Sequence, residues 1–350
     1  MTKFLDPVVV PPAVPKQRVA GRRRVLDALL SQRTLLAVLV VGLVIVFAIT
    51  NPNFLNQRFV LFPMLRDASV VFVIGLAQMF ALSIGQMNLA VGRMAAVGAL
   101  VAGASYDALG VPLVVGVAMG VIAGGLLGAL AGWIIVVSGV NAFVVTLSLD
   151  FALVGMVTLV YRTFTEAAAF TTKPDGMDFW RNGSFADFCF AGYCGPEAIP
   201  VIILPTAVIG FVIWWLFARA RAGRELIATG ASIRAAELSG IDTRRRVIFA
   251  HTVSGLLAGL AGVMLAFTSG SFSAAVGSEF MLPSFLAPIL GGTLLTGGVI
   301  SVVGTALGAL FTGVIRMGLS VQGLGIETLN MALGAVLLGA LALQRLRRKG

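Results

Sequence analysis

Apolar residues run through this chain in blocks of membrane-spanning length, cut by charges, Pro and polar clusters. Ten such blocks lie near 35–50, 66–84, 90–108, 112–137, 142–161, 199–218, 247–268, 283–297, 299–318 and 328–343. The pattern predicts an all-α integral membrane protein of about ten transmembrane helices. Between the blocks, 162–198 and 219–246 are too polar to span, and 1–34 and 344–350 are basic tails. The first tail is Pro-rich (Pro7, Pro11, Pro12, Pro15) and is read as disordered. Asn51-Pro52-Asn53 after the first block is no small-residue cleavage site, so that block is a retained span and not a signal peptide.

Composition agrees with the pattern. Hydrophobic residues make up 58% of the 350 and charged residues 11%, with a mean hydropathy of +1.00. A soluble domain of this size could not hide that much apolar surface from water. The net charge of +10 is not spread evenly. Of the 25 Lys and Arg, seven lie at 1–34, seven at 219–246 and four at 345–349. These flanks follow the positive-inside rule and predict both termini and 219–246 on the cytoplasmic side, with 162–198 outside. Aromatic residues are not interleaved with the basic runs, which argues against nucleic acid.

Glycine adds two regularities. Gly116, Gly120, Gly124, Gly128 and Gly132 recur every fourth residue, so one face of that helix is bare and predicts close packing of a neighbour. Gly85, Gly92 and Gly98 repeat the spacing of Gly291, Gly298 and Gly304. This predicts two weakly related halves, each with a broken or re-entrant helix, the sequence pointer to a transport path. The first break is polar but uncharged (Gln78, Ser83, Gln86, Asn88), which suits hydroxyl-bearing cargo.

No phosphate-binding loop or zinc-protease motif is present, so the chain is not expected to be an enzyme or to hold its own nucleotide. Its one histidine, His251, is expected at the membrane interface. Asp150 is the clearest carboxylate at mid-span. It either marks an ion-coupled carrier or is satisfied by a helix terminus or a polar neighbour. Arg93 and Arg316 sit near span ends, where they can snorkel. Cys189 and Cys194 fall in the outer loop and are expected to form a disulfide there, free thiols being the other outcome. With Trp180, Tyr193 and several Asp, that loop is either a docking surface or a folded cap. Within 219–246 a short helix is predicted from about Ser232 to Leu238, ended by Gly240, that could dock into a soluble partner.

The stretch Gly223-Arg224-Glu225-Leu226-Ile227-Ala228-Thr229-Gly230 and the following Ala235-Ala236-Glu237-Leu238-Ser239-Gly240-Ile241 resemble the coupling region of ribose-type ABC importer permeases. Gly85-Gln86-Met87-Asn88-Leu89-Ala90-Val91-Gly92 is similar to that family's Gly-Ile-Asp-Leu-Ser-Val-Gly signature. Gly291-Gly292-Thr293 with Gly297-Gly298 and Gly304-Thr305 resembles its C-terminal Gly-rich motif, and Asn51-Pro52-Asn53-Phe54 fits the position after the first span. The resemblance runs in order from about 35 to 343. It implies a permease subunit in the bacterial inner membrane that pairs with a second permease, identical or paralogous. Cytosolic ATPases would bind ATP and Mg outside this chain, and a periplasmic solute-binding protein would deliver cargo. Arg224, Glu225, Ala235, Ala236, Ser239 and Gly240 would then meet the ATPase. Gly85, Gln86, Asn88 and Gly92, with Gln78, Ser83, Gly291 and Gly292, would lie along the path. The expected cargo is a small neutral solute, a monosaccharide or related polyol. Branched-chain amino acids, nucleosides or a furanose signal stay open within the family, and an ion-coupled secondary transporter stays open outside it. Asn88 stands where the family has an acid, Ser232 where it commonly has Asn, and the outer loop is longer than usual.

Overall fold

The computed structural model describes residues 32–165, 169–170, 172–190, 193–277 and 279–349; of the basic tail read at 1–34, residues 1–31 lie outside them. Every apolar block contains a helix. They are α1 (Gln32–Thr50), α2 (Phe62–Ser83), α3 (Val91–Leu109), α4 (Leu113–Ser138) and α5 (Ala142–Phe164), then a short α6 (Met177–Asn182). After these come α7 (Ile203–Arg219), α8 (Arg221–Ala231), α9 (Ile233–Leu238), α10 (Thr243–Ser269), α11 (Met281–Leu290), α12 (Val302–Val321) and α13 (Ile326–Lys349). Among the described residues, six helices are long and apolar enough to cross a membrane, and α7 with α8, bent by 71°, makes a seventh. Helix α13 continues through 344–349, the stretch read as a basic tail.

The expected span at 283–297 needs correction. Helix exists there only as α11, ten residues long, or about 15 Å, half of the hydrocarbon thickness. The segment that precedes it is non-helical, a short strand followed by turns. Strand β4 (Phe272–Ser273) pairs antiparallel with β1 (Ala169–Phe170) of the outer loop. From there the chain runs along α3, with Phe272 against Gly103 and Gly277 against Gly92. Tyr161, Phe170, Phe272 and Tyr106 are all buried around this point, Tyr161 packing on the Phe170 ring and Tyr106 on the Phe272 ring, with Phe170 and Phe272 paired across the strands. The aromatic plug anchors the non-helical backbone inside protein, the condition under which such backbone is tolerated at membrane depth.

The glycine stripe packs as expected. Gly124 lies against Gly255 and Gly259 of α10, Gly128 against the His251 carbonyl, and Gly132 against Ile248. Gly120 meets the Gly98 carbonyl of α3, and Gly116 faces the Tyr106 ring. Helices α3, α4 and α10 thus form a tightly packed slab, and α2 crosses α10 beside it. Close backbone contact of this kind is how helices gain dispersion energy in lipid, where apolar burial by itself offers little.

Candidate functional site

The polypeptide between α2 and α3, residues 84–90, is the first break. Its first amides (Ile84, Gly85, Gln86) still donate to the carbonyls of Ala81 and Leu82, and neighbouring side chains supply partners for the rest. The Gln78 side-chain amide, oriented so that both its groups are satisfied, donates to the Asn88 carbonyl at 2.9 Å and accepts from the Asn88 amide at 3.2 Å. The Leu89 amide donates to Thr146 Oγ1 of α5 at 3.1 Å. Asn88 accepts from the Ala90 amide at 3.1 Å and donates to Ser254 of α10 at 3.1 Å. Gln86 Oε1 lies 2.9 Å from His251 Nε2. His251 is fully buried, which corrects its expected place at the interface: it sits beside the break, where only a histidine tautomer with Nε2–H can donate to Gln86.

The second break, 291–301, joins α11 to α12 and is closed mainly by its own backbone. The Thr293 amide donates to Pro288 O at 2.9 Å, Leu294 to Val299 O at 3.1 Å, and Gly297 to Leu294 O at 3.2 Å. Ser301 caps α12 through the Gly304 amide at 2.9 Å. Gly291 packs directly on the Gly304 backbone, so neither position has room for a Cβ. Gln32 of α1 holds the end of α11, donating to Leu290 O at 3.1 Å.

The two breaks touch. The Gly298 amide donates to Ser83 O at 3.1 Å, and Gly230, in the last turn of α8, packs over both atoms. Gly297 lies against Gly85 and the Gly230 carbonyl, at backbone angles (φ +85° and +74° for Gly297 and Gly85) that side-chain-bearing residues rarely adopt. The elbow between α8 and α9 is therefore in contact with both breaks at once. The glycine repeat had pointed to the breaks. Nothing in the spacing indicated that they meet, or that Gly230 joins them.

A cavity of about 640 Å³ opens at this end of the bundle, lined by Gly85, Gln86, Asn141, Thr229, Ile233, Thr243 and Arg244 among others. Of the residues expected along a path, only Gly85 and Gln86 face it. Gln78, Ser83 and Asn88 are fully buried and act as internal fastenings of the first break. Gly92 serves the contact with Gly277, Gly291 the contact with Gly304, and Gly292 lies beside the Gln32 side chain.

The polar segment folds as α8 and α9, with Ser232 as the N-cap of α9, accepting from the Ala235 amide at 3.3 Å. Arg224, Ala235, Ser239 and Gly240 are exposed, whereas Ala236 is buried. Glu225 is also buried, between Arg221 at 2.6 Å and Arg246 of α10 at 2.8 Å. It fastens α8 to α10. What α9 does offer are Ile233 and Leu238, 53% and 86% exposed. Two large apolar side chains on a helix end otherwise surrounded by Arg were present in the sequence but were not singled out.

Elsewhere, Asp150 of α5 pairs with Arg93 of α3 at 3.6 Å. Arg93 thereby has a carboxylate partner across the two helices. Arg316 lines a separate cavity of about 270 Å³ with Glu279 at the opposite end of the bundle. Cys189 and Cys194 are joined by a disulfide across the hairpin of β2 (Cys189–Phe190) and β3 (Tyr193–Cys194).

Comparison with known proteins agrees with this architecture. The family model described as branched-chain amino acid transport system / permease component matches residues 60–342. The ribose import permease protein RbsC of Escherichia coli is 31% identical over 87% of this chain and 90% of its own length. The D-allose transport system permease protein AlsC of the same organism is 27% identical over 88% and 90%. The autoinducer 2 import system permease protein LsrD of Salmonella paratyphi A is 27% identical over 87% and 88%. No solved structure matches significantly. The chain is a multi-pass, all-α membrane protein that belongs to the branched-chain amino acid transport system / permease component family.

Proposed function

We propose that this chain is the permease subunit of an ATP-binding-cassette importer for a monosaccharide or a related polyol. The relatives named above carry D-allose, ribose and autoinducer 2 in their names, and none of the three is named for an amino acid. The cavity chemistry points the same way. Its polar lining is mostly neutral (Gln86, Asn141, Thr229, Thr243), with Arg244 as the one charged group and no carboxylate. A zwitterionic amino acid would need a partner for its ammonium group; a neutral polyol needs amides and hydroxyls.

The observation that carries the coupling role is the convergence at Gly230. Helix α9 presents Ile233 and Leu238 outward, and Ile233 also reaches the cavity rim. A separate ATPase that grips α9 would move the α8–α9 elbow. That elbow rests on the Ser83–Gly298 contact, so both breaks and the cavity floor would shift together. The driving nucleotide and its Mg then stay on the partner chain, and this chain's residues transmit displacement only. A periplasmic binding protein would deliver solute at the opposite, disulfide-bearing end; on this reading 219–246 and both termini are cytoplasmic, as the basic flanks suggest.

The test uses the transporter purified with its ATPase and reconstituted in vesicles. Replacing Ile233 and Leu238 together by Asp should abolish ATPase co-purification and ATP-driven sugar uptake. Helix content and melting temperature should be unchanged, because both side chains are on the surface. Uptake at the wild-type rate by that double variant would remove the coupling assignment.

A further inference from the structure

His251 is the only histidine of the chain and lies fully buried beside the first break. Its carbonyl and Cβ lie against Gly128 and Gly132 of α4, so the packed glycine stripe fixes where the ring sits. Nε2 is 2.9 Å from Gln86 Oε1, and the buried Nδ1 has no partner among the described residues. A histidine buried without a carboxylate partner is the neutral imidazole, with a single N–H. On Nδ1, that N–H would be a buried donor with nothing to accept it. On Nε2, it meets the Gln86 oxygen and leaves only an acceptor unmet, the cheaper of the two omissions.

The consequence falls on Gln86. Once His251 holds its oxygen, the free end of the amide is the nitrogen with its two N–H groups. That nitrogen has no partner among the described residues, is not shut off from solvent as Nδ1 is, and belongs to a side chain lining the cavity of about 640 Å³. The rest of the lining has the same polarity. Asn141 Oδ1 accepts from the Phe143 amide at 2.9 Å, so its nitrogen is also the free end. Thr243 donates its hydroxyl hydrogen to Glu237 at 2.8 Å, and Thr229 donates its own to the Glu225 carbonyl at 2.8 Å. Arg244 has donors only. The side-chain N–H groups left for a solute sit on Gln86, Asn141 and Arg244, and each takes an oxygen acceptor.

We propose that His251 is a positioning residue of the solute path: by donating to Gln86 Oε1 it holds the Gln86 N–H groups toward the cavity, where they take one oxygen of the passing solute. This role rests on the importer reading and adds to it, assigning the solute an acceptor oxygen at the first break.

Two measurements test it. In the full-length chain purified on a histidine-free tag, NMR of nitrogen-labelled histidine reports this single ring. A protonated Nε2 and a bare Nδ1 are expected; a proton on Nδ1 overturns the proposal. In vesicles holding the ATPase and the binding protein, ATP-driven uptake of aldopentoses and aldohexoses is screened, ribose and allose among them. The sugar carried fastest is then compared with its monodeoxy analogues. The wild type should disfavour one analogue by roughly tenfold, and His251→Leu should bring that preference close to one. His251→Gln, whose carboxamide nitrogen reaches the place of Nε2, should keep it. Gln86→Leu, at a partly exposed position, should lose the preference against the same analogue, and it decides the matter should His251→Leu fail to accumulate. The binding protein is common to all variants, so its own selectivity divides out. Equal uptake of all analogues by the wild type overturns the proposal, and so does slower uptake by His251→Leu with the preference intact. Either result sinks only the role of His251, whereas no ATP-driven uptake of any sugar by the wild type sinks the monosaccharide-importer reading itself.

Discussion

The two breaks do the same geometric job by different means. At 84–90 the irregular backbone is held from outside, by Gln78 on α2, Thr146 on α5, and Ser254 and His251 on α10. At 291–301 it is held from within, by a ladder of short-range backbone bonds and by glycines that sit against backbone. A break fastened by side chains of three other helices responds when those helices move. A break closed on itself moves as a unit. Their contact through Ser83 and Gly298 sets an adjustable segment against a rigid one, with Gly230 resting on the seam.

The largest effect is expected where that rigidity has no slack. Gly304→Ala would drive a methyl group into the Gly291 backbone, and no side chain there can move aside. Such a clash exceeds ordinary overpacking of about 1–3 kcal/mol, so the variant should fail to accumulate in membranes, as read by immunoblot against wild type. Normal accumulation would mean that the second break is softer than the first.

Gln78→Leu is expected to rank next. The side chain is close in size, but the Asn88 amide and carbonyl lose their partner in a fully buried site. Leaving each buried group unmade costs about 1–3 kcal/mol. The apparent melting temperature in detergent should fall by several degrees while the protein still inserts. An unchanged melting temperature would show that the first break does not depend on this clamp.

Thr146→Val should have the smallest effect. It removes the acceptor for the Leu89 amide and a long 3.4 Å bond to the Met87 carbonyl, and the same hydroxyl already bonds the Ala142 carbonyl at 2.8 Å. A loss of about 1 kcal/mol is expected for a single hydrogen bond, seen as a small drop in melting temperature. A fall as large as that of Gln78→Leu would place the main fastening of the break on α5 and not on α2.

Much of the fold was legible because the bilayer imposes simple rules on composition. Long apolar blocks had to be helices, since nothing else satisfies the backbone in hydrocarbon. The glycine stripe of α4 had to find a close neighbour, and Ser232 with Gly240 bounded the short helix α9 by local capping chemistry alone. The site was only partly legible. Gln86 and Gly85 do face the cavity, whereas Gln78, Ser83 and Asn88, expected along the path, and Glu225, expected at the ATPase contact, are buried and bonded within the chain. Polar character marks a residue as needing a partner; it does not say whether that partner is solute, another protein or the chain's own backbone.

What the sequence determined by itself, then, was everything that depends on residues near one another in the chain: the helices, the breaks, the caps and the basic flanks. The tertiary structure decided the pairings that span long separations. These include Asn88 with Ser254, Gln86 with His251, Arg93 with Asp150, Glu225 with Arg246, and Gly230 with Ser83 and Gly298. A hydrophobic period specifies which face of a helix avoids polar surroundings, but not which neighbour it meets. That choice is made only when all the helices compete for the same small contacts at once.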